Sequence, residues 1–257
     1  MEVLKREEDN ICTLTINRPA KRNSLSEKAL MILGDAFLAL EKEKQSRVII
    51  LRGAGEKAFC AGAEISPFPA QERLEPPIKA LQYCLEGMLN CSLPVIAMIY
   101  GYAIGAGLDL VVLSDLRLAA DNALFGVNLV KLGRIYYYTA VQRLMQLIGL
   151  GATKEMLLSG RLIKAPRAKE IGLINVVFST PGLEAYTYNL ARELAQENAP
   201  LAMQATKKML KKLLVSEINT DLQNELQALT DWINQSQDAQ EGPLAFMEKR
   251  KPIFKGR

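Results

Sequence analysis

The chain has 257 residues, 49% of them hydrophobic and 23% charged, and its 32 basic and 28 acidic side chains leave a formal charge of +4. That length supports a sizeable core, and a charge so nearly balanced argues against a dedicated nucleic-acid protein. Histidine is absent, which excludes histidine triads, histidine-ligated metals and histidine acid–base chemistry, and leaves Asp, Glu, Tyr, Cys, Lys or water to move protons.

The four cysteines, Cys12, Cys60, Cys84 and Cys91, show no paired or metal-type spacing, so they read as reduced thiols packed as small hydrophobes, with no metal site. Met1–Asn10 is charged rather than signal-like, and no apolar run approaches the ~18 residues of a membrane span. A cytoplasmic protein without membrane contact is the expectation.

In chain order, Ile11–Ile16 alternates β-branched and apolar residues and reads as a strand ended by Asn17-Arg18-Pro19. Ser26 then offers a helix cap ahead of Leu30, Leu33, Phe37 and Leu40, which share one helical face. Val48–Leu51 is a second, fully buried strand, and strand, helix, strand in that order predicts a parallel sheet. The stretch Gly53–Ile65 is rich in small residues, as a loop must be if a ligand is to approach its backbone; an ordinary loop is the alternative. Pro67–Pro77 reads as a surface connection, followed by a helix through Leu81, Leu85 and Met88.

Pro94–Ile99 is uninterrupted apolar sequence, the mark of a strand covered on both faces. Glycines at 101, 105 and 107 stop it, and a helix opens with Leu108, Val111 and Val112 apolar and one carboxylate, Asp109, among them. Unpaired N–H groups at such a helix start can hold a developing negative charge. Asp109 is either the proton-handling group there or a carboxylate that merely complements the helix dipole. Leu116–Ala120 is a further strand. Tyr136, Tyr137 and Tyr138 cannot all face one side, so at least one is a candidate for a pocket wall, with packing at a surface as the alternative. Beyond Thr139 the chain turns helical, interrupted at Gly149 and Gly151, with a short helix over Ala165–Ile171 and a short strand over Val176–Phe178. Long helices are expected over Leu183–Glu197, Ala202–Leu214 and Ile218–Ile233. This divides the chain into an α/β core, 1–180, and a helical C-terminal region, 181–257. The tail Phe246–Lys255 mixes cations with aromatics and is either a solvated face or a phosphate contact. Neither an internal repeat, a Walker loop nor a dinucleotide fingerprint is present, so no nicotinamide cofactor is expected.

The order of several blocks resembles the crotonase superfamily, the enoyl-CoA hydratase/isomerase group, across essentially the whole chain. The blocks are Asn17-Arg18-Pro19 with Asn23-Ser24-Leu25, Ala58–Ile65, Pro94–Ala97, Gly101–Leu110, Ser114-Asp115, Phe125-Gly126, Gln142-Arg143-Leu144, Ala168–Leu173 and Phe246–Pro252. The resemblance implies a spiral of ββα units with a helical C-terminal trimerisation region, assembly as trimers or paired trimers, and an acyl-CoA thioester as substrate, with no cofactor beyond the coenzyme A that the substrate carries. It implies an oxyanion hole made by the backbone N–H groups of Ala63 and Ala106. It places coenzyme A against Arg18, Ala20, Lys57, Ala58, Phe59 and Ala61, with Lys249 covering the nucleotide, sometimes from a neighbouring subunit. Hydratases of this group carry two glutamates; here the first position is Asp109 and the second is Leu129. Leu129, Tyr137 and Tyr138 fall on the acyl pocket, and Tyr136 is the second candidate for proton transfer. Three readings follow: a hydratase or double-bond isomerase working through Asp109, a decarboxylase of the methylmalonyl-CoA type, and a weakly catalytic acyl-CoA-binding or RNA-associated member.

Overall fold

A computed structural model describes residues 1–43, 45–64, 76–132, 134–215 and 220–257. The connection expected over Pro67–Pro77 lies outside the described residues up to 75, as do residues 216–219 ahead of the last long helices.

Ile11–Ile16 (β2), Val48–Gly53 (β3), Val95–Ile99 (β5), Leu116–Ala120 (β7) and Val176–Phe178 (β10) form a parallel sheet in that spatial order. Its two apolar faces explain the unbroken hydrophobic runs: Ile49, Leu51, Val95, Ala97 and Ile99 enter one core cluster, while Val48, Ile50, Ile96 and Met98 enter another on the opposite side. Each fully buried branched aliphatic contributes about 1.5–3 kcal/mol. The edge is an extra strand, Val3–Glu8 (β1), antiparallel to β2. Five of its six residues are exposed and mostly charged, so it carries no hydrophobic signal, and those charges protect the open edge from pairing with other chains.

Glu27–Glu43 (α1) starts as expected, with Ser26 Oγ accepting the N–H of Ala29 at 3.1 Å, and buries Leu30, Leu33, Phe37 and Leu40. Pro76–Asn90 (α2) packs along it.

A second, smaller sheet holds Ala58–Cys60 (β4), Tyr102–Ile104 (β6), Leu124–Gly126 (β8) and Ile163–Lys164 (β9), the first three parallel. The chain therefore visits the large sheet, the small sheet and then a helix in turn. β3, β4 and α2 make one unit; β5, β6 and Ala106–Leu113 (α3) the next; β7, β8 and Tyr138–Ser159 (α4) the third. This is the expected spiral of ββα units. α4 is bent at Gly149 (φ 75°, ψ 165°), the interruption the glycines foretold.

Ala165–Glu170 (α5) leads to β10, and four helices follow among the described residues, Thr180–Glu197 (α6), Pro200–Val215 (α7), Thr220–Asn234 (α8) and Gln237–Met247 (α9), before a C-terminal tail without regular structure over 251–257. α6 lies on the sheet itself, its Leu183, Ala191 and Ala195 packed with Ile50, Ile96 and Met98, so the helical region shares a core with the strands. No helix among the described residues is long and apolar enough to cross a membrane.

Candidate active site

Three segments meet at the carboxyl ends of β4 and β6. The first is the exit from β2, which is stapled to the second. Asn23, 1% exposed and left-handed (φ 55°), donates from Nδ2 to Ala54 O at 3.0 Å and Ala58 O at 2.6 Å, and its Oδ1 accepts the N–H of Arg18 at 3.0 Å. Arg18 itself donates to Ser24 O and to Glu64 Oε1 and pairs with Glu2. Its guanidinium thus serves as a clamp between the two segments. Ala20 sits in an exposed 3₁₀ turn beside it.

The second segment is Ala61–Glu64. Leu25 bridges Ala63 in parallel fashion, its N–H donating to Gly62 O (2.8 Å) and its carbonyl accepting from Glu64 N (2.9 Å). In such a bridge the central residue's own polar groups turn to the other side. Ala61 N donates to Arg22 O and Gly62 N to Cys60 Sγ. Of the four amides, Ala63 N–H alone has no protein acceptor among the described residues.

The third segment is the turn from β6 into α3. Gly105 (φ 55°) precedes the helix, and its carbonyl accepts the N–H of Asp109. Ala106 is the first helical residue, so its N–H has no intrahelical partner. The two segments touch: a Cβ on Gly107 would stand 2.4 Å from Cys60 O, and one on Gly62 would stand 4.0 Å from Ala106 N. Two unpaired amides, Ala63 and Ala106, therefore belong to neighbouring turns.

Asp109 lies one turn into α3 and is 5% exposed. Tyr136 donates to its Oδ1 at 2.7 Å and approaches Gly105 O at 3.5 Å. Burial pushes the Asp109 carboxyl up to about 6, against the Tyr136 hydrogen bond and the charge of Arg143, which both favour the ionised form. The Tyr136 hydroxyl is pushed well above its usual range, by burial first and then by Asp109. Cys60, also buried, is raised to about 12, so it is an inert thiol.

Of the three tyrosines, then, the structure brings Tyr136 to Asp109. Tyr137 is 41% exposed at the start of α4, and Tyr138 is 80% exposed. Leu129 is partly buried in a 3₁₀ turn and packs on the core. Lys57 lines a cleft of about 500 Å³ with Arg22, Glu56, Gly101, Tyr102, Asn122 and Leu124. The cleft lies at the amino ends of β4, β6 and β8, and the Arg22 guanidinium stands 5.3 Å over the Tyr102 ring. Ala58 and Phe59 are buried, so only their backbone can meet a ligand, whereas Ala61 is half-buried. Lys249 is exposed in a tail tied elsewhere: Arg47 donates to Phe254 O, and Lys251 pairs with Glu197. Within one chain no described contact brings Lys249 to the Lys57 cleft. Sequence reasoning did not pick out Arg22, Tyr102 or Asn122 as cleft residues, although Tyr102 lies inside the Gly101–Leu110 block and Arg22 shows as half of a basic pair, Lys21-Arg22.

Residues 6–257 match the family model for enoyl-CoA hydratase/isomerase. The chain is 34% identical to a mitochondrial methylglutaconyl-CoA hydratase of Rattus norvegicus, over 98% of this chain and 82% of that protein. It is 33% identical to a 2,3-dehydroadipyl-CoA hydratase of Escherichia coli strain K12, over 100% and 99%. The crystal structure of an enoyl-CoA hydratase from Bacillus anthracis superposes with a TM-score of 0.91 at 34% identity, covering all of both chains. The chain belongs to the enoyl-CoA hydratase/isomerase family, the crotonase superfamily, and carries its fold.

Proposed function

We propose that the protein binds an acyl-CoA thioester with its carbonyl oxygen between Ala63 N–H and Ala106 N–H and works through the enolate. The observation that carries this reading is the pair of unpaired amides in adjoining turns, next to a buried carboxylate. Donors fixed in a dry site stabilise a charge that grows on the oxygen, each worth about 3–4 kcal/mol. Asp109 is the proton-transferring group. With leucine at 129, no second carboxylate stands at the position where hydratases of the group keep one. A double-bond shift needs a single base that lifts a proton from one carbon and returns it to another, so enoyl-CoA isomerisation fits better than water addition. Arg22 and Lys57 in the cleft offer cations for the nucleotide phosphates, and acyl-CoA as the substrate class agrees with the names of the relatives. We also read the α7–α9 region as the contact between copies in a trimer or a dimer of trimers.

A second reading, acyl-CoA decarboxylation, is favoured by one detail: Tyr136 holds Asp109, and loss of CO₂ needs the hole more than a base. The enolate left behind then takes its proton from Asp109 or solvent. A panel of enoyl-CoA and malonyl-type thioesters, assayed for isomerisation, hydration and CO₂ release with wild type and Asp109→Asn, separates the readings. Loss of isomerisation in Asp109→Asn is expected. Retained CO₂ release by that variant would favour the decarboxylase, and no effect on any reaction would remove Asp109 from the mechanism.

A further inference from the structure

Among the described residues, Arg143 Nε is the buried side-chain nitrogen or oxygen atom that has no hydrogen-bond partner. We infer that Arg143 reads a free carboxylate on the acyl group, so that the substrate is the CoA thioester of a dicarboxylic acid. The inference rests on the acyl-CoA reading above and adds to it the chemical class of the acyl chain.

The placement supports it. Arg143 lies on α4 between Ala140 and Leu144, both buried, and residues three and four apart share a helical face. Its stem therefore borders the core side of α4, which packs against α3, the helix that carries Asp109. Arg143 is the one cation whose charge acts on both Asp109 and Tyr136. It nevertheless forms no ion pair with Asp109, whose Oδ1 is engaged by Tyr136. The guanidinium thus stands within electrostatic reach of Asp109 and Tyr136, with an enclosed N–H left open.

A buried, charged donor with no acceptor is costly, and native structures rarely keep one without a reason. A planar fork of N–H groups that includes Nε matches a carboxylate, which it can grip with two parallel hydrogen bonds. An uncharged alkyl chain would leave the donor unsatisfied and bury it more deeply.

Binding by saturated thioesters, which lack a reactive double bond, tests this apart from turnover. Calorimetry with succinyl-, glutaryl- and adipyl-CoA is compared with butyryl-, pentanoyl- and hexanoyl-CoA, the chains of equal length that end in methyl. At least one diacid thioester is expected to bind about tenfold or more tighter than its methyl counterpart. Arg143→Met should erase that difference while leaving the methyl series unchanged, and Arg143→Lys should restore part of it. Equal binding of the two series by wild type overturns the inference and leaves the acyl-CoA reading intact. So does an Arg143→Met variant that weakens both series alike, as a purely structural arginine would. Failure of both series to bind removes the acyl-CoA reading and the inference with it.

Discussion

A carboxylate held at about 6 in the fold against an ordinary 3.8 is costly to keep ionised at neutral pH. Between those two values the folded state holds a proton that the unfolded chain has lost, so the Asp109 contribution to stability falls as pH rises from about 4 to about 6. Two consequences follow for one side chain. As the base, Asp109 must be ionised, so isomerase activity should rise with pH through a midpoint near 6, read from kcat/KM. Asp109→Asn should abolish that activity yet raise stability at pH 7 by about 1–3 kcal/mol in denaturant titrations, since it removes a buried charge at a functional site. The amide at 106 can be tested as cleanly. Proline is tolerated at the first position of a helix, where the N–H has no helical partner, so Ala106→Pro keeps the helix while replacing the donor with a ring Cδ that also crowds the place of the thioester oxygen. A loss of about 10²–10³ or more in kcat/KM is the expected outcome of steady-state kinetics; an unchanged kcat/KM would mean that this N–H does not face the reacting oxygen.

The second sheet is the element that brings the two amides together, and it is the element least visible in the sequence. β4, β6 and β8 are three residues each, too short to show a period of two, and two of them are embedded in the small-residue stretches that read as loops. The long strands β3 and β5, buried on both faces, and the capped helix α1 were legible because their patterns run over many residues. The ββα repeat was not, because each unit fills a different environment and no sequence repeat accompanies it. At the site, the glycine-bounded turns and Asp109 could be picked out by residue type. The bond from Tyr136 to Asp109 and the Arg22–Lys57 cleft depend on chain folding over 27 and 35 residues. The small sheet's role can be tested at Gly107, where α3 abuts β4. An alanine there would bring Cβ to 2.4 Å from Cys60 O, a backbone atom that cannot swing aside. Gly107→Ala should therefore destabilise the protein by about 1–3 kcal/mol in thermal or chemical unfolding. It should also cut activity beyond what that loss of stability explains, because the two turns are pushed apart. A variant that is destabilised but fully active would show that their spacing is not critical.

At the scale of the whole molecule, the trimer or dimer of trimers proposed above would draw on apolar side chains that the C-terminal helices expose. Leu210, Leu213 and Leu214 on α7 and Trp232 on α8 are each more than 40% exposed, and Met247 at the end of α9 is 72% exposed. A contiguous patch of such side chains is what a contact between copies buries. The same assembly would account for Lys249, which makes no described contact with the Lys57 cleft of its own chain: a neighbour's tail would bring that lysine to the cleft. Light scattering should then give three or six times the 28.5 kDa chain mass. Leu214→Glu with Trp232→Glu, which places charges in the contact, should release monomers that stay folded by circular dichroism, since neither side chain belongs to the core. Those monomers should bind CoA more weakly than the assembly, and Lys249→Ala in the intact assembly should weaken CoA by about three- to tenfold, as loss of one charge-assisted phosphate contact does. A wild-type protein that runs as a monomer, with Lys249→Ala indistinguishable from it, would mean that each chain closes its nucleotide site without a neighbour.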